Sequence, residues 1–147
     1  MKKIISHRGN LTGPNPKMEN NPEYILTALS NNYDVEIDVW LTSEGLCLGH
    51  DQPTFVVTPD FLTKEGLWCH AKNIDALEYL LKNDIHCFWH NKDKTTLTSR
   101  GIPWCYPYVY INNGITVEKG TPHTIDKNIL GICTDYASVW KDFVEKQ

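Results

Sequence analysis

Four of the six histidines in this 147-residue chain stand at the downstream ends of short apolar runs. His7 follows Ile4-Ile5-Ser6, His50 follows Leu46-Cys47-Leu48-Gly49, His70 follows Leu67-Trp68-Cys69, and His90 follows Cys87-Phe88-Trp89. Asp135 follows Ile132-Cys133-Thr134 in the same way. If these runs are parallel strands, their downstream ends share the face on which parallel barrels assemble active sites. Imidazoles gathered there exchange protons near neutral pH or bind a metal ion. One histidine at a strand end is equally a half-buried polar residue entering a loop; recurrence at four ends is what points to a site.

Glu36 and Asp38 add oxygen ligands. At i and i+2 of one strand their carboxylates leave the same face, about 7 Å apart along the backbone, a spacing that suits one hard cation such as Mg²⁺ or Ca²⁺. A solvated strand face would also carry two carboxylates. Here Trp40 shares their side while Val35, Ile37 and Val39 fill the other, so both faces are expected to be covered. Buried carboxylates need a cation. His70 and Lys72 repeat the i, i+2 geometry on the next strand, where Lys72 could neutralise a phosphate oxygen, and Arg8 could grip a phosphate with two prongs.

The elements that must position these groups alternate between strand-like and helix-like, which implies an α/β fold on a mainly parallel sheet. Strands are expected at 3–6, 34–41, 46–48, 67–71, 87–89, 104–111, 115–118 and 129–134. Asn21-Pro22 opens a helix with Ile25, Ala28 and Leu29 on its buried stripe, and Asn73 caps another with Ile74, Leu77 and Leu81. Thr58-Pro59-Asp60 opens a short helix, residues 92–99 hold at most one or two helical turns, and 136–145 form a terminal helix. No repeat or linker divides the chain, so 1–147 reads as one domain.

Composition narrows the partners. Lys and Arg total 14 against 18 Asp and Glu, a formal net charge of -4 that offers no surplus for a nucleic-acid backbone. The N-terminus lacks the apolar stretch of a signal peptide, and no window approaches a membrane span. The five cysteines are odd in number, lie in apolar runs and form no CxxC pair, which reads as reduced, buried thiols in a cytoplasmic protein.

His7-Arg8-Gly9, Glu19-Asn20, Glu36-Ile37-Asp38-Val39, the Leu41-Thr42 to Glu44-Gly45 turn and His50-Asp51 occur in an order and spacing that resemble the N-terminal signature of the glycerophosphodiester phosphodiesterase family. The likeness covers about residues 3 to 51. His70-Ala71-Lys72 stands where the family has Glu-x-Lys, and Gly131 to Tyr136 resembles its closing strand. The resemblance implies a TIM-type barrel acting on a small-molecule phosphodiester, with His7 and His50 as the acid–base pair. Glu36 and Asp38 would ligate a divalent ion (Mg, Ca or Mn), Arg8 and Lys72 would hold the phosphate, and Glu19 and Asn20 would support the loop. His90 would share the active face.

Two departures stand out. His70 replaces a glutamate ligand, which moves preference toward Mn²⁺, Zn²⁺ or Co²⁺, and the loop before Glu19 is lengthened by Gly13-Pro14-Asn15-Pro16. They leave room for a catalytically silent module binding a phosphate ester or metal on the same barrel. A zinc hydrolase of another barrel family is disfavoured because no His-x-His pair occurs. A complete (β/α)₈ barrel takes ~250 residues. This chain is therefore expected to form a compressed TIM-type (β/α) barrel with helices or units missing in the second half, after Asn83.

Overall fold

The first strand, β1 (Lys3–His7), sends Ile5 to one face of the sheet and Ile4 to the other. The structure, a computed structural model, describes residues 1–125 and 128–147. A turn-rich loop leads to α1 (Pro22–Ser30), where Asn21 accepts from the Glu23 amide, Pro22 takes the first turn, and Ile25 and Ala28 are buried. Next come β2 (Asp34–Thr42), β3 (Gly45–Leu48), β4 (Phe55–Val56), α2 (Pro59–Leu62), β5 (Leu67–Ala71) and α3 (Ile74–Lys82). The remainder is β6 (Cys87–Phe88), β7 (Thr95–Leu97), β8 (Pro103–Cys105), β9 (Ile115–Glu118), β10 (Gly131–Thr134) and α4 (Ala137–Glu145).

The strands form one mixed sheet in the order β4-β3-β2-β1-β10-β9-β8-β7, with β5 joined to β2 and β6 joined to β5. The six pairings that run from β8 through β9, β10, β1, β2 and β5 to β6 are parallel, whereas β2–β3, β3–β4 and β7–β8 are antiparallel. The expected compressed TIM-type barrel does not form, because the sheet is open. Among the described residues β6 pairs only with β5, and no ladder joins it to β8 or β7.

The reason lies in the stretch after β6. A parallel neighbour needs a crossover of about a dozen residues or more. The chain instead runs directly into β7, which doubles back on β8, and has no helix between α3 and α4 among the described residues. The free edge of β6 is satisfied by a turn: Cys87 donates its amide to Ser99 Oγ at 3.0 Å, and the Ser99 amide donates to the Cys87 carbonyl at 2.7 Å. Side chains fill the remaining gap. Phe88 of β6 stacks on Trp104 of β8 at 4.4 Å, and Trp104 meets Trp68 of β5 at 5.7 Å. The sheet thus curls until its ends touch, without closing.

Local departures follow the same logic. Residues 95–97, in the segment expected to be helical, form a strand because Thr95 and Thr96 are β-branched and have β8 beside them. The expected strand 104–111 stops at Cys105, since Pro107 lacks an amide donor and Tyr108 adopts φ 65°. In α3 the buried face is Ala76 and Leu80, leaving Ile74 and Leu81 exposed.

Two layers of apolar packing hold the β1, β2 and β5 region. Val35, Ile37 and Val39 lie against Ile25 and Ala28 of α1 and Ala76 and Leu80 of α3. On the opposite, concave face Ile5, Trp68, Phe88, Trp104, Ile115 and Cys133 make an apolar floor. A third cluster surrounds Trp140 of α4 and Ile132. All five cysteines are buried and unpaired, and burial pushes the Cys69 and Cys133 thiols up, so they act as neutral fillers. No helix among the described residues is long and apolar enough to cross a membrane.

Asn73 staples this arrangement. Its Oδ1 accepts from the Ala76 amide at 3.0 Å and the Leu41 amide at 3.2 Å, while its Nδ2 donates to the Leu41 carbonyl at 2.8 Å. Asn73→Ala removes an N-cap and both links to β2. The expected loss is ~2–3 kcal/mol in urea unfolding. Asn73→Asp, which keeps the cap acceptor but not the donor, should recover about half of that loss.

Candidate active site

The concave face explains how distant residues meet. His7 is level with Glu36 across the β1–β2 ladder, and Asp38 is level with His70 across β2–β5. Strand alternation therefore lifts His7, Glu36, Asp38 and His70 to the same side as Ile5 and Trp68, one layer nearer the downstream ends. His7, Glu36 and His70 border a cavity of about 500 Å³ lined also by Arg8, His50, Lys72, His90, Tyr106 and Lys119, with Asp38 buried behind it.

Glu36, Asp38 and His70 each offer a ligand atom, all within 4.8 Å of one another. The carboxylates are 2% and 0% exposed, which makes them expensive to ionise without compensation. Glu36 Oε2 and Asp38 Oδ1 are buried and have no hydrogen-bond partner. The His70 ring is oriented by its other nitrogen: Nε2 lies 2.9 Å from the His90 carbonyl oxygen, and a carbonyl can only accept. The proton therefore sits on Nε2, and in the neutral ring the lone pair of Nδ1 faces Asp38 Oδ1 at 3.3 Å and Glu36 Oε1 at 3.7 Å. A lone pair aimed at two carboxylates is repulsive unless a proton or a cation lies between them. Two orphaned oxygens and an oriented imidazole nitrogen fit a divalent ion of mixed oxygen and nitrogen preference.

The two carboxylates titrate differently. Burial, and then the neighbouring Asp38 charge, raise the pKa of Glu36. For Asp38 burial acts in the same direction but is outweighed by His70 and by the Arg8 guanidinium, with Asn20 assisting, so its carboxyl lies well below the usual range. Arg8 Nε stands 3.2 Å from Asp38 Oδ2, and Lys72 Nζ stands 3.9 Å from Oδ1. Asn20 grips Asp38 at both ends, its Nδ2 donating to Oδ2 and its Oδ1 accepting from the amide, each at 2.9 Å. Glu19 accepts from the second arm of Arg8 at 3.1 Å and from the Asn15 amide at 2.8 Å, so the loop before Glu19 is tied to the site.

Arg8 adopts φ 57°, a left-handed conformation uncommon for a long side chain, and Asn20 adopts φ 65°. Hydrogen bonds from the Arg8 amide to the Glu36 carbonyl and from the Asn20 amide to the Arg8 carbonyl hold the turn. The result folds the guanidinium back over β2. Gly49 plays the corresponding part for His50, since a Cβ there would fall 2.0 Å from the Gln52 carbonyl oxygen. His50 itself stands half-exposed at the cavity wall, its Nδ1 2.7 Å from Asp51 Oδ1. His90 contributes through its carbonyl to His70 and packs its ring, tilted by 39°, against Tyr106 with centroids 4.2 Å apart.

All ten sequence-derived site residues thus reach the cavity or its immediate supports. Asp135, Asn10 and Tyr24 complete the site around His7. Asp135 Oδ1 lies 2.8 Å from His7 Nδ1 and accepts from Asn10 Nδ2 at 2.8 Å, while the Tyr24 hydroxyl donates to Asn10 Oδ1 at 3.0 Å. Burial alone would lower the pKa of His7, but the hydrogen bond to Asp135 and the Glu36 charge prevail and raise it. With Nδ1 held by Asp135, His7 Nε2 faces the cavity, 3.7 Å from Glu36 Oε2. Asp135 was detectable by its place at a strand end; nothing in the loop sequence marked Asn10. No protein-family description, curated protein or solved structure matches this chain.

Proposed function

We propose that this chain is a metal-dependent phosphodiester hydrolase, resembling the glycerophosphodiester phosphodiesterases in the residues it uses. The observation that carries the reading is the pair of orphaned buried oxygens on Glu36 and Asp38, joined by His70 Nδ1 and set beside the Asp135-held His7. Glu36, Asp38 and His70 would hold the ion, which when bound offsets charge building on the phosphoryl oxygens.

The chain's own groups perform the remaining steps. His7 presents Nε2 to the cavity with Nδ1 engaged by Asp135, the orientation needed to take a proton from an attacking hydroxyl or water. His50, on the same cavity, supplies the complementary proton to the leaving alkoxide. Lys72 and the Arg8 guanidinium bring positive charge to the phosphate, which the net charge of -4 does not supply. The apolar floor of Phe88 and Trp104 limits water beneath the reacting group.

A second reading, a silent module that binds a phosphate ester or metal, draws on one observation. Arg8 is already engaged by Glu19 and Asp38, and Lys72 stands close to Asp38, so phosphate must compete for them. Hydrolysis of glycerophosphodiesters and bis-p-nitrophenyl phosphate, assayed with Mg²⁺, Ca²⁺ and Mn²⁺, separates the two. The expected result is turnover strongest with Mn²⁺ and reduced at least ~10³-fold in the His7→Ala/His50→Ala variant. Tight calorimetric binding of the esters with no product under any metal supports the module instead, and turnover indifferent to the double substitution removes the hydrolase reading.

A further inference from the structure

The upstream end of the sheet carries a separate cavity of about 580 Å³, larger than the one around His7, and the two share no lining residue. It is framed by the starts of β1, β2, β5 and β6 and by the turn between β7 and β8. None of its groups has a part in the chemistry proposed above.

Two of these groups lack the partners that their types demand. His86 Nε2 is buried without a hydrogen bond, and the ring lies against Trp68 at 4.4 Å. Arg100, exposed at the cavity wall, has no carboxylate in ion-pair range among the described residues. Lys3, by contrast, is spent on Asp34 Oδ2 at 3.0 Å, an oxygen that also accepts from Trp68 Nε1 at 3.0 Å. Burial, reinforced by Arg100, lowers the His86 pKa to about 4. His86 is therefore neutral at physiological pH and can offer an N–H without a charge. Leu67, Trp68, Ile85 and Ile102 give the cavity apolar walls.

We propose that this cavity binds a small organic monocarboxylate, with the carboxylate held by the Arg100 guanidinium and a His86 N–H and the apolar body packed along Trp68 and Ile102. The planar guanidinium fork matches a carboxylate in a bidentate contact. The chemical class follows from the rim. Glu65 and Asp84 line the same cavity and repel a multiply charged anion, while Lys64 offsets only one of them. An inorganic phosphate is thereby disfavoured, and a singly charged, partly apolar ligand fits.

The test uses benzoate as probe at pH 7, followed by tryptophan fluorescence and by the amide and indole resonances of the labelled protein. Saturable binding with a Kd of about 1 mM is expected, with shifts concentrated at the Trp68 indole and Arg100. Arg100→Ala, an exposed site that leaves the core intact, should weaken binding at least tenfold and leave Mn²⁺ affinity at the opposite end unchanged. His86→Phe, which keeps a ring on Trp68, should weaken it about threefold or more. Benzyl alcohol, with the same body and no charge, should bind at least tenfold less tightly. The proposal is overturned by no saturation up to about 20 mM benzoate, by affinity undiminished in Arg100→Ala, or by inorganic phosphate or benzyl alcohol binding as well as benzoate.

Discussion

Replacement of Asp38 by asparagine is expected to weaken Mn²⁺ binding at least 100-fold in calorimetry and to destabilise the fold at the same time. Asp38 is fully buried and is the point where Arg8, His70, Lys72 and Asn20 converge. An asparagine oxygen at the Oδ2 position can still accept from Asn20 and Arg8, but the amide nitrogen then takes the Oδ1 position, where it withdraws a metal ligand beside His70 Nδ1 and turns a donor toward Lys72. Removing one partner of a buried ion pair costs ~3–5 kcal/mol. Part of that returns here, because the charge of Asp38 is one of the causes that disfavour ionisation of Glu36, and Glu36 can then take up some of the stranded positive charge. The expected net loss in urea unfolding at pH 7 is ~2–3 kcal/mol. The pH dependence has a fixed sign. The folded-state pKa of Asp38 is depressed from 3.8, so its stabilisation is present above that value and disappears as pH falls through the folded pKa. The difference between wild type and Asp38→Asn should therefore be full at pH 7 and shrink progressively below pH ~4. A variant that keeps Mn²⁺ affinity within a factor of about three would remove Asp38 from the metal set.

Much of this site is legible one strand at a time, and the fold is not. Glu36 and Asp38 share a side by simple alternation, and with Trp40 on that side and valine and isoleucine on the other, burial of both faces follows from the strand's own residues. The histidine rule succeeds for His7 and His70 because parallel pairing carries them to matching levels on β1, β2 and β5. Closure of the sheet is a different kind of property. It depends on whether β6 finds a hydrogen-bonding neighbour, and that is decided by Ser99, by the β7–β8 hairpin and by the Phe88–Trp104 contact, which join residues far apart in the chain and carry no periodic signal. Chain length argued correctly against a complete barrel but could not distinguish a small closed barrel from a curled open sheet. The α3 stripe misleads for a related reason: Ile74 and Leu81 are the larger apolar residues, yet the helix approaches β2 and β5 closely and buries Ala76 and Leu80 instead. The hydrogen bonds of Asn10 and Tyr24 are set by a loop whose path only the packed structure defines.

Asp135→Asn probes the support of His7 rather than the metal, and it should lower turnover ~10–10²-fold with Mn²⁺ affinity nearly unchanged. Asp135 touches no reacting group in the proposed chemistry; it is a positioning residue. Its Oδ1 takes both Asn10 Nδ2 and His7 Nδ1, each at 2.8 Å. In the variant one amide oxygen must still serve Asn10, whose orientation is fixed by Tyr24. That oxygen is the one His7 Nδ1 also meets, so the introduced amide nitrogen takes the Oδ2 position and His7 keeps its proton on Nδ1. What disappears is the charge. Burial already opposes protonation of His7, and without the Asp135 carboxylate it is opposed only by Glu36, so the His7 pKa falls. The limb of the kcat/KM profile that reports His7 should move to lower pH. Stability gives an independent readout. The folded pKa of His7 is raised above 6.5, so the wild-type contribution is complete below that pH and is lost as pH rises through the folded value. Urea unfolding across pH 5 to about 9 should show this loss in wild type and a flatter curve in the variant. An unchanged profile and rate would show that His7 acts, if at all, without Asp135. A uniform drop in rate with Mn²⁺ affinity falling in parallel would mean that the substitution disturbs Glu36, 3.7 Å beyond His7, and not the charge supporting His7.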